Sequence, residues 1–403
     1  MIANAPAPRI PVLPEIKDVE QLLPLARSAV KRKETSFMVG LDLKGGERVL
    51  IVSDTTSDAL LQEALAIAIR ESGNHLDVIQ LEGFPGRTDP VELLDGMFSN
   101  NWWPEWVWEA ANKYDLVLAM SFMKLPHTPN LPLAEKVRSD VIEVTRYTFS
   151  PDYENFPLEI RDALDKKTWD LLVNSSKIKI TDLEGTDLEL TYTKEEWDRT
   201  AARNIPRVGK PYLPGHLMVP APTRGMEGKL VTSSITFGGP VPRTTLTIEH
   251  GQAVKVVGGG KFGQRLTESF EKYKNATMPK YPGPGVNWIS TLALCTHPRA
   301  IPSPDFEHLT GSARIHAWTT GHRRSGVIHL SLGESVVSQT YKVIRHVDLF
   351  FPTVVADGRK VVEMGHLLAL DDPEVQKLAA KYGDPKKLLT EAWIPAVSGV
   401  NAP

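Results

Sequence analysis

The chain has 403 residues, a formal net charge of −3, and 41% hydrophobic against 24% charged residues. That length exceeds what one core usually serves and suits two domains, and the balance is that of an ordinary globular protein. The charge leaves no basic footprint for a nucleic-acid backbone, and no apolar run approaches the ~20 residues of a membrane span. The single cysteine, Cys295, excludes an intramolecular disulfide and a multi-cysteine metal site. The opening "MIANAPAPRIPVLPEIKD" lacks the basic and apolar regions of a signal peptide. A cytoplasmic protein is expected.

The first half alternates strand and helix. "ERVLIVSD" (47–54) reads as a buried strand, and "SDALLQEALAIAIRESG" (57–73) as an amphipathic helix opened by Ser57 and closed by glycine. "HLDVIQLEG" (75–83) is a second strand; "PEWVWEAANKY" (104–114) is a helix running into the strand "DLVLAMSF" (115–122). "PLAEKVRSDVIEVTRY" (132–147) is expected to be another helix. This βαβ order predicts a parallel sheet covered by helices. The usual nucleotide loops do not follow these strands. The tryptophan-rich "NWWPEWVW" (101–108) suits helix packing first, and an aromatic entrance or subunit interface second.

Near residue 175 the texture changes. "SKIKITDLEGTDLELTYT" (176–193) is a β-hairpin around a Glu-Gly turn, and "GKLVTSSITFGG" (228–239), "RTTLTIEHGQAVKVVGGG" (243–260) and "SGVIHLSLGES" (325–335) continue in short strands. "GKPYLPGHLMVPAPTRG" (209–225) is studded with proline and reads as a linker or a loop lining a site. The expected organisation is an N-terminal parallel-sheet α/β domain (1–205) followed by a mainly β, α+β metal-binding domain (206–403).

Nine of the 11 histidines lie from His216 to His366, so imidazole chemistry belongs to the second half. In "KVIRHVDLFF" (342–351) strand alternation puts His346 and Asp348 on one face, about 7 Å apart at Cα from two strand rises. His329 lies between Ile328 and Leu330, and His297 ends the run "STLALCTHPRA". Two imidazoles and one carboxylate are the ligand set of a 2-His-1-carboxylate iron site, and also suit zinc or manganese. The plainer readings are a hydrogen-bonded core histidine at 329, an imidazole merely oriented by Asp348, and a loop residue at 297. Glu334 is either an acid supporting the site or a turn residue. No G-x-S-x-G elbow is present, and the apolar setting of Cys295 disfavours a thiolate nucleophile.

"LDLKGGERVLIVSD", "KIKITDLEGTDLEL", "LTIEHGQAVKVVGG", "IHLSLGES" and "RHVDLFF", in that order, resemble the M29 (aminopeptidase T-like) metallopeptidases. They resemble equally a ring-cleaving offshoot of that superfamily, the 2,5-dihydroxypyridine 5,6-dioxygenases. The resemblance covers about residues 40 to 365. It implies that His346 and Asp348 are metal ligands, as in both branches, and that His329 is a further one, as in the peptidases. Thr291 falls where the peptidases carry a ligating glutamate and the dioxygenases a ligating histidine, and "GHLMVP" (215–220) falls where a second peptidase glutamate is expected. A two-metal peptidase site is therefore hard to build. The resemblance points to one ion held by His329, His346 and Asp348, with His297 or His216 substituting for the lost ligand, and with His297 and Glu334 as candidate catalytic groups.

What this implies is a mononuclear non-haem Fe(II) dioxygenase of the extradiol type that cleaves a hydroxylated (N-hetero)aromatic ring with O₂. The alternatives are a Zn- or Mn-dependent hydrolase of small amides or peptides, and a non-catalytic descendant that binds a small molecule. The superfamily also implies a homodimer. The loop residues Arg224, Arg299, Arg323 and Arg324 could hold a substrate carboxylate or hydroxyl, or simply be solvated.

Overall fold

The computed structural model describes residues 15–32, 41–83, 89–92, 103–120, 139–141, 156–201, 215–219, 221–222, 224–236, 239–277, 281–300, 308–310, 314, 318, 320–334 and 343–391. Four strands, β1 (Arg48–Asp54), β2 (His75–Leu81), β3 (Leu116–Ala119) and β4 (Ser139–Val141), form a small sheet in the order β2-β1-β3-β4, with every pair parallel. Alternation along β1 sends Val49 and Ile51 into a core with Leu25 and Ala26 of α1 (Leu23–Lys31) and Leu61 and Leu65 of α2 (Ala59–Glu71). Leu50 and Val52 go the other way, against Trp103 and, from α3 (Glu105–Ala111), Val107 and Trp108. Helices thus cover both faces, which is why β1 is an unbroken apolar run.

Local chemistry sets the helix ends. Asp58, not Ser57, caps α2: its side chain accepts from the Leu61 N–H at 3.2 Å. Ser57 Oγ instead accepts from the Asp54 N–H at 3.0 Å. Trp103 and Trp108 pack with ring centroids 4.7 Å apart, while Trp106 is exposed, so the tryptophan cluster serves mainly the core. The helix expected over 132–147 is corrected at its centre. Residues 139–141 are extended and hydrogen-bond along β3, where alternating backbone groups complete a fourth parallel strand. The rest of that stretch lies outside the described residues.

Among the described residues the second sheet has 12 strands, and its strand pairs are antiparallel. Its strands are β5 (Lys177–Asp182), β6 (Asp187–Thr191), β7 (His216–Val219), β8 (Met226–Ile235), β9 (Gly239–Glu249), β10 (Gln252–Gly258), β11 (Ile289–Cys295), β12 (Ile328–Glu334), β13 (Val343–Leu349), β14 (Pro352–Ala356), β15 (Arg359–Glu363) and β16 (His366–Leu367). The order is β16-β15-β14-β5-β6-β8-β13-β12-β11-β7, with β9 and β10 branching from β8. Among the described residues this part of the chain has the helices α4 (Leu158–Leu172), α5 (Lys194–Ala201), α6 (Gly260–Lys272), α7 (Pro373–Ala379) and α8 (Pro385–Leu388). The fold class is mixed α/β with a parallel and an antiparallel sheet, as expected.

Two features of the large sheet bear on the site. The hairpin β5–β6 pairs into the large sheet through β8 and β14, so the change from one sheet to the other comes between β4 and α4, ahead of residue 205. Within the proline-studded segment, His216–Val219 is a regular strand, because "HLMV" lies in its longest proline-free run and can pair with β11. No helix among the described residues is long and apolar enough to cross a membrane.

The register of β7, β11, β12 and β13 divides the sheet into two unlike faces. Leu217, Leu294, Ile328 and Leu349 form one row and Val219, Leu292, Leu330 and Val347 the next, all in the core that holds Ile160, Leu164 and Leu172 of α4. Complete burial of a side chain such as Leu330 or Leu349 stabilises by about 1.5–3 kcal/mol. The opposite face carries His216, Cys295, His329, Ser331, His346 and Asp348. The apolar face fixes the register, and the register fixes which polar groups meet.

Candidate metal centre

Two short motifs face each other across β12 and β13. In the antiparallel register His329 stands opposite Asp348 and Ser331 opposite His346, so "HLS" on one strand answers "HVD" on the other. All four side chains are buried; His329 is 3% exposed and Asp348 1%. The imidazoles stack with centroids 4.8 Å apart and an interplanar angle of 17°. His346 Nδ1 lies 2.8 Å from His329 Nε2, and Ser331 Oγ lies 2.7 Å from His346 Nδ1.

Behind His329 is a second set of contacts. Its Nδ1 is 3.1 Å from Asp348 Oδ1 and 2.9 Å from Thr236 Oγ, and the Thr236 hydroxyl donates to the same Asp348 oxygen at 2.8 Å. Thr236 directly follows β8, and its backbone N–H donates to the His346 carbonyl at 3.1 Å, which ties this support to β13. An ionised carboxylate can only accept, so the natural donors to Asp348 Oδ1 are the Thr236 hydroxyl and His329 Nδ1–H. The neutral ring then presents the Nε2 lone pair toward His346.

Two facing nitrogens at this separation need a proton or a cation between them. The distance is near the ~3 Å between adjacent ligand atoms when two nitrogens each lie ~2.0–2.1 Å from one ion. In donor type the pair therefore fits a divalent transition metal. Among the described residues, no group of three or more His, Cys, Asp or Glu side chains is arranged to hold a metal ion. The reason is visible in the geometry: two nitrogens converge, whereas Asp348 presents Oδ1 to the rear of His329.

The other sequence candidates fall around this pair at different distances. The His216 ring is 5.2 Å from that of His329, and its Nε2 is shielded from solvent. Cys295 stands opposite His216 and is wholly buried, and burial pushes its thiol well above the usual range, which removes it as a nucleophile. Thr291 pairs with Ser331, in the same row as His346. His297 is placed elsewhere: its ring packs on Phe156 at 5.1 Å and its Nδ1 accepts from the Arg299 N–H at 3.1 Å. Burial, with Arg161, Arg299 and Arg323 nearby, pushes its pKa well down and keeps the ring neutral. Glu334 ends β12, and its side chain lies outside the described residues.

Arg323 and Arg324 are buried rather than solvated. Burial pushes Arg324 down to about 10, and its Nη2 donates to the Phe350 carbonyl at 2.5 Å, bracing the end of β13. Two residues of the site carried no functional signal in the sequence. Ser331 was findable, since it repeats on β12 the spacing of Asp348 on β13. Thr236, in "SSITF", meets partners 93 and 112 positions away, which no local pattern encodes.

No family model and no curated protein matches the chain. Among solved structures, it is similar to a 2,5-dihydroxypyridine dioxygenase from Pseudomonas putida KT2440, with a TM-score of 0.53 and 17% identity over 89% of this chain and 99% of that one. At that identity the likeness is one of fold.

Proposed function

We propose, taking the shared fold and the facing imidazoles of β12 and β13 as premises, that this chain is a mononuclear non-haem iron dioxygenase acting on a hydroxylated aromatic small molecule. The observation that carries the reading is the buried pair His329 Nε2 and His346 Nδ1, 2.8 Å apart, on strands held in register by an apolar opposite face. The dioxygenase named above supports the substrate class by analogy of fold.

His329 and His346 would hold the ion, with His216 and Asp348 the nearest further donors. Bound Fe(II) supplies the redox chemistry that lets O₂ react with an aromatic ring. The protein's own share is positional. Asp348 and Thr236 set the proton of His329, Ser331 holds His346, and the buried face keeps bulk water from the reacting groups.

Oxygen uptake with a panel of hydroxylated pyridines and aminophenols tests the proposal, run beside amide and dipeptide substrates. The expected result is stoichiometric uptake that depends on Fe(II) and is lost with Zn(II), which has no accessible redox state. Equal turnover of any substrate under argon would refute it and favour a metal-dependent hydrolase.

A further inference from the structure

We infer that Thr236 is a positioning residue of this site: with Asp348 it fixes His329 in the tautomer that turns the Nε2 lone pair toward His346. The inference deepens the proposed function where it concerns an ion, but its first test needs none.

The argument is one of donors and acceptors. Three atoms close a triangle: Thr236 Oγ, Asp348 Oδ1 and His329 Nδ1, with sides of 2.8, 2.9 and 3.1 Å. The hydroxyl has one proton and the carboxylate none, so the triangle is satisfied when Thr236 donates to Asp348 and His329 donates from Nδ1. The opposite tautomer would set the Nδ1 lone pair against two oxygens, one of them anionic. It would also turn the Nε2 proton toward His346 Nδ1. A buried acceptor facing acceptors is costly, because no water replaces the missing donor.

The arrangement also gives Asp348 a role besides the ligand role that the resemblance implies. Through Oδ1 it orients a histidine from behind, as carboxylates do for ligating imidazoles in many metal sites. Thr236 holds that oxygen in place, and the Thr236 N–H to His346 carbonyl bond places the same residue on the second histidine's strand. One threonine thus links both histidines, through its side chain to the ring of His329 and through its backbone to the backbone of His346. Valine has nearly the shape of threonine without the hydroxyl, and serine keeps the hydroxyl.

The first measurement is ¹⁵N NMR of the full-length, histidine-labelled protein without added metal, with His329 assigned from the His329→Gln spectrum. Wild-type and Thr236→Ser protein should show His329 protonated at Nδ1 and bare at Nε2, while Thr236→Val should give a mixture of tautomers. A proton on Nε2 in the wild type overturns the inference, even if Thr236→Val does not fold. So does an unchanged pattern in a folded Thr236→Val protein. The second measurement is Zn(II) affinity by competition with a chromophoric chelator. Thr236→Val should bind about 10–100-fold more weakly than wild type, and Thr236→Ser close to it. Equal affinity in wild type and Thr236→Val overturns the positioning role. Failure of the wild type to bind Zn(II) or Fe(II) would instead overturn the proposed function, leaving the tautomer to decide the role of Thr236.

Discussion

Replacing Glu391 by glutamine should remove a pH-dependent clamp that braces the start of β12. Glu391 is buried; Oε1 accepts from Ser325 Oγ at 2.7 Å and from the Leu367 N–H at 3.2 Å, and Oε2 lies 2.8 Å from His366 Nδ1. Asp371 meets the other ring nitrogen at 2.8 Å. The Glu391 contact, aided by Asp371, raises His366 from 6.5 to about 9. Its folded pKa therefore lies above the unfolded one. The stabilisation is complete below about pH 6.5 and is lost as pH climbs through about 9. Taken at face value the shift is worth about 3 kcal/mol. The His366 side chain is 39% exposed, so solvent screening reduces this to about 1–2 kcal/mol. Urea denaturation at pH 6, 7.5 and 9.5 measures it. Wild type should lose that increment between pH 6 and 9.5, and Glu391→Gln should be less stable at pH 6 with a flatter profile. An equal loss in both proteins across the interval would refute the clamp.

Gly326 has φ +81°, and a Cβ there would lie 1.9 Å from the Gly365 carbonyl oxygen. Gly326→Ala should therefore cost about 3 kcal/mol or more, read as a fall in Tm; a change under about 1 kcal/mol would show that the two turns can separate. Cys295 should not react with a thiol reagent such as DTNB in the native protein and should react fully in urea, because it is buried and its thiol pKa is raised. Rapid labelling of native protein would place the site face in contact with solvent.

The parts of the fold legible in the sequence were those with a strong single period. β1, β12 and β13 could be read because their apolar residues alternate or run unbroken between turn residues. The stretch around β4 could not, since "SDVIEV" offers apolar positions compatible with either helix or strand, and pairing with β3 decides. Long-range pairing also decides which sheet the hairpin β5–β6 joins. A hairpin announces itself locally, but the sheet it joins is fixed by β8 and β14, which lie far along the chain.

The site shows the same division more sharply. Alternation alone put His346 and Asp348 on one face, and it gives His329 and Ser331 the same relation on β12. What it could not supply is the register that sets histidine opposite carboxylate instead of histidine opposite histidine, and so allows Asp348 to reach behind His329. That register is held by leucines and valines on the other face, none of which touches the chemistry. Burying four polar side chains on one strand pair costs free energy unless each finds a partner. Thr236 and Asp348 supply partners to the outer nitrogen of His329, while Ser331 Oγ joins His329 Nε2 at the inner nitrogen of His346. The Nε2 lone pair of His329 then meets either a proton on His346 Nδ1 or a cation, and a metal centre is the case in which the cation takes that place.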